Sequence, residues 1–247
     1  MGPREVYEEL PSTQDRALEL ARAGAEEGTI VVARRQGRGR GRLDRTWQSP
    51  DGGLYCSVVL RRPSQHAGLL PLTIGARLAS AFRDRWAVPT VLKWPNDLLV
   101  RDGAGSVRKL CGILTDEVAS ASLGRAIVAG VGVNVRLNRA RLPNELADQV
   151  ASLDEFVDPP PTLAEVETTV HEAAVGAREW LSEAGGAHRA RTLLASLLYG
   201  VGRAATVDGQ PTGVIESVGE EGELWLSTAD DRVAIWAGDV RVAPESR

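Results

Sequence analysis

The chain has 247 residues, of which 43% are hydrophobic and 25% charged, and its formal net charge is −4. These fractions are typical of a globular protein and exclude wholesale disorder. The negative charge argues against a chain that binds nucleic acid or a membrane surface along its whole length. No apolar run approaches the roughly 20 residues of a transmembrane helix, and the charged first ten residues do not resemble a signal peptide. Cys56 and Cys111 have no CxxC spacing, so we expect reduced thiols, no zinc site and a cytoplasmic location.

The basic residues have an unusual composition. Lysine and arginine total 29, yet lysine occurs only at Lys93 and Lys109, which leaves 27 arginines. A genome rich in arginine codons would leave two lysines by chance. Alternatively, these two positions need a compact ammonium group rather than a planar guanidinium. Composition alone leaves both interpretations open.

The first 198 residues predict mixed helices and strands. The sequence Ser12-Thr13-Gln14-Asp15 has the pattern of a helix cap, and the helix that it begins is expected to end before Gly24. Apolar residues at three- and four-residue spacing predict further helices at 69–86, 162–181 and 188–199. Apolar and β-branched runs predict strands at 29–33, 54–60, 90–93, 97–100, 109–118 and 126–135.

After Tyr199 the pattern changes to short β-branched runs separated by glycine, at 204–207, 212–218, 223–227 and 232–237. Several short strands joined by tight turns are typical of a small barrel. We therefore predict an α+β protein, with a larger mixed-sheet domain at 1–198 that has helices packed on it. A small C-terminal β domain is expected at 199–247.

Glycine and arginine alternate from Gly37 to Arg42, and Arg45 and Trp47 follow. Glycine lets backbone N–H groups approach an anion closely, and arginine binds phosphate or carboxylate through two parallel hydrogen bonds. Alternating glycine and arginine is also common in segments that contact RNA. The short loop in an acidic chain favours a small anion over nucleic acid.

A second group of polar residues follows a strand at Lys93-Trp94-Pro95-Asn96-Asp97. Pro95 must break the strand, which places Asn96 and Asp97 at its end. An ordinary turn has the same composition, so this segment alone does not establish a site.

Glycines interrupt two apolar strands. Gly112 follows Lys109, and it indicates a bulge or a ligand against the backbone. A lysine beside such a strand can also simply extend its ammonium to solvent. Gly130 and Gly132 repeat the pattern before Asn134, where close helix packing is the other explanation.

The ordered set of these motifs resembles the biotin protein ligases, from about Ser12 to the end of the chain. The residues that carry the resemblance are Ser12-Thr13-Gln14, Gln36, Gly39-Arg40-Gly41-Arg42, Arg45, Trp47, Lys93-Trp94-Pro95-Asn96-Asp97, Lys109, Gly112, Gly130, Gly132 and Asn134. The segment Ala237-Gly238-Asp239-Val240 is similar to part of the SH3-like barrel that ends chains of this family.

The resemblance implies a two-step reaction. Biotin and MgATP give biotinyl-5′-AMP and pyrophosphate, and biotin then passes to one lysine of the biotin carboxyl carrier domain of a biotin-dependent carboxylase. The Mg²⁺ ion arrives with ATP, so no metal site in the protein is expected. Neither nucleic acid nor membrane is an expected partner, and the chain would be a monomer or a homodimer.

The resemblance also implies roles for individual residues. The biotin-binding set would be Ser12, Thr13, Gln14, Gln36, Gly39, Arg40, Gly41, Arg42, Lys109, Gly112 and Gly130. The ATP-binding set would be Arg42, Arg45, Trp47, Asn96, Lys109 and Asn134, with Trp47 covering adenine. Lys109 would stabilise the transition state at the α-phosphate, with Arg40 and Arg42 as further catalytic residues. Lys93 and Asp97 would support the site as an internal pair.

The sequence departs from the family pattern in two ways. Asp44 occupies a glycine position of the usual GRGRxGR loop, which puts the detailed movement of the loop in doubt. The chain also begins almost directly at Ser12, without room for an N-terminal DNA-binding domain, so we expect a ligase without repressor function. A lipoate–protein ligase of the same fold is the nearest alternative, and a nucleic-acid binder without enzymatic activity is the more distant one.

Overall fold

The structure is a computed structural model, and it describes residues 2–43, 45–102 and 106–243. Asp44 therefore lies outside the described residues, and its effect on the loop stays a prediction. The chain forms a seven-stranded mixed sheet, helices that pack on both faces of that sheet, and a second sheet of five strands. The mixed α+β architecture predicted from the sequence is confirmed.

The large sheet contains all the strands that precede residue 135. They are β1 (Arg4–Leu10), β2 (Ile30–Gln36), β3 (Gly53–Arg61), β4 (Thr90–Lys93), β5 (Asp97–Arg101), β6 (Val107–Ser120) and β7 (Gly124–Asn134). Their order across the sheet is β1-β2-β3-β7-β6-β5-β4. The β1–β2 pair is parallel, and every other pair in this sheet is antiparallel.

The helices are α1 (Thr13–Arg22), α2 (Leu70–Trp86), α3 (Asn144–Ala147), α4 (Leu163–Ser182) and α5 (Gly186–Leu197). The predicted cap of α1 is present, because the Ser12 hydroxyl accepts a hydrogen bond from the backbone N–H of Asp15 at 3.4 Å. A reciprocal capping box between Thr162 and Glu165 begins α4. The remaining short helical turns are 3-10 segments at Ala67–Leu69, Arg139–Arg141 and Leu153–Glu155.

The two faces of the large sheet bury different helices. Ile74 and Phe82 of α2 and Val170 of α4 belong to the main apolar core on one face, whereas Ala17 and Leu18 of α1 pack in a smaller cluster on the other. Successive residues of a strand point to opposite faces. Along β7, the odd positions 129, 131 and 133 join the main core, and the even positions 126 and 128 join the α1 cluster. The even positions 130, 132 and 134 lie farther along β7, beyond the N-terminus of α1.

The C-terminal sheet consists of β8 (Ala204–Val207), β9 (Gln210–Val218), β10 (Leu224–Ser227), β11 (Arg232–Ile235) and β12 (Val240–Val242). Its antiparallel strands run in the order β11-β10-β9-β8-β12. Because β11 and β12 are edge strands in the part of the chain described, a closed barrel is not confirmed. Ile215 and Leu224 belong to the same apolar core as Leu92 of β4, so the two sheets share buried surface.

The sequence did not predict β1, α3 or β12. The burial of β1 alternates between partial and exposed, with no fully buried side chain, because it is the edge strand of the sheet and pairs with β2 alone. Its acidic sequence therefore lacks the apolar run that marks a buried strand. No helix within the described ranges is long and apolar enough to cross a membrane. Cys56 and Cys111 are both buried and free, and burial raises the pKa of each thiol.

An ion pair between Arg4 and Glu167 ties β1 to α4. The Nε and Nη2 atoms of Arg4 donate to the two carboxylate oxygens of Glu167 at 2.5 and 2.9 Å, and the Glu167 side chain is only 7% exposed. Replacing Arg4 with alanine would leave a buried carboxylate without its cation. We expect Arg4→Ala to lower the free energy of unfolding by about 1–3 kcal/mol, measured by urea denaturation.

The matched control for this prediction is Arg34→Ala. Arg34 of β2 lies 3.5 Å from Glu8 of β1, but both side chains are largely exposed. Exposed pairs contribute about 0–1 kcal/mol, so this variant should stay close to wild type. Equal losses in the two variants would contradict the assignment of Glu167 as the buried anchor of β1.

Candidate functional site

A cavity of about 740 Å³ lies on the α1 face of the large sheet, beyond the N-terminus of that helix. Its walls come from both sheets, from the loop between β2 and β3, and from the segment 142–150 that follows β7. Of the residues predicted to form or support the site, only Gly39 does not line the cavity. The lining residues among that set are Ser12, Thr13, Gln14, Gln36, Arg40, Gly41, Arg42, Arg45, Trp47, Lys93, Asn96, Asp97, Lys109, Gly112, Gly130 and Asn134.

The floor of the cavity is a row of residues that lie opposite one another on neighbouring strands. The register pairs Tyr55 with Gly132, Gly132 with Gly112, Gly112 with Asp97, and Asp97 with Lys93. Directly opposite residues of antiparallel strands point to the same face. Because two members of the row are glycine, the middle of the floor is bare backbone on which another group can lie.

A polar pocket occupies one end of the cavity, around Gln14. Its amide nitrogen donates to Asp116 Oδ2 at 3.1 Å and to the Val128 carbonyl at 3.0 Å, while its oxygen lies 3.0 Å from the hydroxyl of fully buried Ser57. A side chain at Gly130 would meet the Gln14 amide oxygen at 2.5 Å. The glycine therefore leaves the space that the Gln14 amide occupies.

A hydrogen-bond chain connects this pocket to the base of the β2–β3 loop. The Thr13 backbone N–H and hydroxyl both donate to Gln36 Oε1, at 2.8 and 3.1 Å. Gln36 Nε2 then donates to the Ser49 hydroxyl at 2.9 Å, and Ser49 donates to the Trp47 carbonyl at 3.1 Å. The orientation of the Gln36 amide is thus fixed by its neighbours on both sides.

Gly39 lies where the loop folds back on itself. The Trp47 N–H donates to the Gly39 carbonyl at 2.9 Å. A side chain at position 39 would collide with the Trp47 carbonyl and come within 2.8 Å of the Ser49 hydroxyl. The structure thus shows Gly39 closing the base of the loop, and direct contact of Gly39 with a ligand stays a prediction.

The Trp47 ring lies on the bare part of the floor. A side chain at Gly112 would come within 2.6 Å of Trp47 Cζ3, and one at Gly132 within 2.6 Å of Trp47 Cε2. Lys109 Nζ is 5.0 Å from the ring centroid, within the range of a cation–π contact. The two glycines are therefore needed for a close approach of the indole ring to the strands.

Lys109 is held at both its backbone and its side chain. Its ammonium group is 2.7 Å from Asp97 Oδ1. Its backbone N–H donates to the Gln149 carbonyl at 2.8 Å, and its carbonyl accepts from the Ala151 N–H at 2.9 Å. Asn134 donates to the Ala151 carbonyl at 2.9 Å, which fixes the same segment to β7.

The pairing of Asp97 corrects one prediction, because Asp97 pairs with Lys109 rather than with Lys93. Asp97 lies opposite Lys93 on one side and Gly112 on the other. Since Gly112 has no side chain, the Lys109 side chain crosses it, and a side chain there would come within 3.3 Å of Lys109 Cε. The space above Gly112 thus lets the Lys109 ammonium group reach the Asp97 carboxylate.

Two of the loop arginines are paired with carboxylates. Arg40 Nη1 lies 3.1 Å from both Asp15 Oδ1 and Asp116 Oδ2. Arg45 Nη2 lies 3.2 Å from Asp239 Oδ2, which joins the loop to the C-terminal sheet. Arg42 is partly buried, and burial lowers the pKa of its guanidinium, while the Asp97 carboxylate acts in the opposite direction.

Asn96 and Asn134 were predicted on the nucleotide side, and both use their amide groups within the protein. Asn96 Nδ2 donates to the Ile113 carbonyl at 2.7 Å, and the Ile113 N–H donates back to the Asn96 carbonyl at 3.0 Å. These bonds attach the β4–β5 turn to β6. The two asparagines hold the elements that carry Asp97 and Lys109, and they also line the cavity.

Sequence reasoning missed four parts of the site: Ser57, Asp116, Asp239 and the segment 142–150. Ser57 was detectable, because it is the one serine or threonine in the apolar run Leu54–Leu60. Asp116 falls in the predicted strand 109–118, but its partner Arg40 is 76 positions away along the chain. No local pattern marks Asp239 or the segment 142–150 as part of a cavity.

Comparisons with known proteins extend over the whole chain. Residues 6–134 match the profile of the biotin/lipoate A/B protein ligase family. The bifunctional ligase/repressor BirA of Bacillus subtilis is 31% identical over 253 residues, which cover 98% of this chain and 75% of that protein. A biotin–[acetyl-CoA-carboxylase] ligase of Mycobacterium tuberculosis is 31% identical over 252 residues, covering 96% of this chain and 87% of that protein.

A solved structure agrees with these relatives. The biotin protein ligase from Aquifex aeolicus in complex with biotin and ATP has a TM-score of 0.81 and 26% identity, covering 98% of this chain and 99% of that one. The family match spans the strands of the large sheet and the motifs from Ser12 to Asn134, which confirms the resemblance inferred from those motifs. The chain belongs to the biotin/lipoate A/B protein ligase family.

Proposed function

We propose that this chain is a biotin–[acetyl-CoA-carboxylase] ligase. It joins biotin to ATP to form biotinyl-5′-AMP and pyrophosphate, and then transfers biotin to one lysine of a biotin carboxyl carrier domain. The observation that carries the proposal is the single cavity that unites the polar pocket at Gln14, the Lys109–Asp97 pair and the arginine loop. The similarity to a structure that contains both biotin and ATP supports the same substrates.

The polar pocket suits the head of biotin, whose ureido group carries two N–H donors and a carbonyl acceptor. Thr13, Gln14, Gln36 and Ser57 surround the pocket with hydroxyl and amide groups whose orientations are fixed by mutual hydrogen bonds. Fixed polar groups orient a ligand without a further loss of side-chain freedom. The biotin carboxylate then points along the floor toward Lys109.

Lys109 acts on the first chemical step. The biotin carboxylate attacks the α-phosphate of MgATP, a carboxylate–phosphorus bond forms, and the bond to the departing pyrophosphate breaks. Repulsion between the anionic reactants slows this reaction in water. An ammonium group held by Asp97 at 2.7 Å is already oriented when negative charge accumulates on the phosphoryl oxygens.

The loop arginines bind the remaining negative charge. Arg40 and Arg45 already have carboxylate partners, so phosphate oxygens would replace Asp15, Asp116 and Asp239 around them. Trp47 lies with one side of its ring on the floor glycines, and we assign adenine to its other side. Asn96 and Asn134 support the nucleotide side through the backbone that they hold.

We also propose the division into a catalytic domain at 1–198 and an SH3-like domain at 199–247, supported by the second sheet that begins at Ala204. Gly238 and Asp239 of that domain line the cavity, which supports a role for it beside the loop. The carrier domain of a carboxylase is the proposed acceptor, the chain is a monomer or homodimer, and its proposed location is the cytoplasm.

The proposed function predicts which acid the chain activates. Exchange of labelled pyrophosphate into ATP should depend on biotin, because exchange requires reversible adenylate formation. Lipoate should give no exchange above background, although lipoate ligases belong to the same family. Exchange with lipoate alone would overturn the proposal in favour of lipoate ligation.

Lys109→Ala should lower the rate of adenylate formation by about 100-fold or more, because it removes a charge directed at the transition state. The measurement is single-turnover formation of biotinyl-AMP, with circular dichroism to show that the fold is retained. Lys109→Arg is the matched variant, since it keeps the charge but needs more space above Gly112. Near-normal turnover of the alanine variant would contradict the role of Lys109.

Arg40→Gly should release the adenylate into solution, because the adenylate phosphate loses the guanidinium that would exchange Asp15 and Asp116 for it. We expect the dissociation rate of biotinyl-AMP to rise by more than its synthesis rate falls. The control is Arg38→Gly, an exposed residue of the same loop that does not line the cavity. Unchanged retention of the adenylate by Arg40→Gly would show that Arg40 does not hold the adenylate phosphate.

A further inference from the structure

We propose that Lys93 binds the pyrophosphate leaving group during adenylate formation, an inference that rests on the proposed function. From the sequence alone, Lys93 was expected only to support the site as a partner of Asp97. Its position in the sheet, the charges around it and the direction of the reaction assign it a separate task.

The first argument concerns residue type. Lys93 and Lys109 are the chain's only lysines, against 27 arginines among 29 basic residues, and both line the same cavity. Chance retention of two lysines would not favour positions that both line one cavity. An ammonium group is compact and can rotate its three donors, whereas guanidinium has a fixed planar fork. Both positions therefore favour a small, movable cation.

The second argument concerns position. Lys93 lies directly opposite Asp97, which lies directly opposite Gly112. Neighbouring strands are about 4.8 Å apart, so Lys93 is one strand beyond Asp97 and roughly 10 Å from the floor at Gly112. It points to the same face as both, because directly opposite residues share a face. The polar pocket at Ser57 and Gly130 is at the other end of this floor.

The third argument concerns charge. Lys109, Arg40 and Arg45 each have a carboxylate within 3.2 Å. Neither Lys93 nor Arg42 forms an ion pair with any residue that the structure describes. Asp97 is therefore one carboxylate among three cations, namely its partner Lys109, its neighbour across the hairpin Lys93, and Arg42, which its charge attracts. A local excess of two positive charges is suited to a multiply charged anion.

The direction of the reaction identifies that anion. Biotin enters from the side of β3 and β7, the α-phosphate lies over Lys109 on β6, and an in-line leaving group departs toward β5 and β4. The carboxylate oxygen forms its bond to the α-phosphorus while the bond from that phosphorus to the bridging oxygen breaks. Pyrophosphate keeps the electron pair, and the Lys93 ammonium compensates the charge that develops on it. Lys93 thus contacts only atoms that leave.

The experiment compares ligands with and without the leaving phosphates, using Lys93→Met. We expect the KM for ATP and the inhibition constant for inorganic pyrophosphate to rise about tenfold or more, the range for loss of a hydrogen bond to a charged group. Affinity for preformed biotinyl-AMP should change less than about twofold, since that compound lacks both phosphates. Transfer from it to a purified carrier domain should also proceed at the wild-type rate.

Two further variants separate a direct contact from a structural role. Lys93→Arg should weaken pyrophosphate inhibition less than Lys93→Met does, because it keeps the charge but replaces the compact ammonium with a planar guanidinium. Lys109→Met should weaken both ATP-dependent synthesis and the binding of biotinyl-AMP, because Lys109 lies at the α-phosphate that both ligands contain. Thermal unfolding of each variant identifies any general loss of stability.

The outcomes distinguish this inference from the proposed function. Wild-type constants for ATP and pyrophosphate in Lys93→Met would overturn the role of Lys93 alone, provided that the wild-type chain forms biotinyl-AMP. Equal losses for ATP and for preformed biotinyl-AMP would also overturn it, since Lys93 would then be supporting the sheet. A wild-type chain that forms no biotinyl-AMP would overturn the proposed function and this inference with it.

Discussion

The ion pair between Lys109 and Asp97 is the interaction on which the rest of the site depends. It spans from β6 to β5 across a position where Gly112 provides no side chain, and the same bare backbone accepts the Trp47 ring. The segment 149–151 and Asn134 fix the Lys109 backbone from the other side. Gly112 therefore makes room for the cation and its carboxylate partner and, together with Gly132, for the indole that packs beside them.

The same principle of paired charge explains how an acidic protein carries so many cations at one cavity. Asp15, Asp116 and Asp239 neutralise Arg40 and Arg45, which avoids repulsion among the arginines of a short loop. An anion that binds here replaces the carboxylates around the arginines, rather than binding to arginines that have no partner. Because these pairs are partly exposed, each contributes little stability on its own, and the exchange costs correspondingly little.

The parts of the site that depend on local spacing were predictable from the sequence. Local spacing marks Gly112, Gly130 and Arg40 as candidates, although each pattern has another explanation, and all three line the cavity. Pairing across the fold was not predictable. Arg45 meets Asp239 from 194 positions away, and no local pattern links them. The expected Lys93–Asp97 pair was wrong. The sequence shows that Lys93 and Asp97 are neighbours across a hairpin, but it does not show that the Lys109 side chain crosses Gly112 to reach Asp97.

The scarcity of lysine has a further consequence for an enzyme whose proposed product acylates lysine. Apart from Lys93 and Lys109, the chain offers its adenylate no lysine side chain at all. The Lys109 amino group lies 2.7 Å from Asp97 Oδ1 and is engaged in that ion pair, so it is not free to attack an acyl group. Asp97 thus orients the cation to which we assign adenylate formation and, through the same ion pair, keeps that lysine from consuming the adenylate before the carrier arrives.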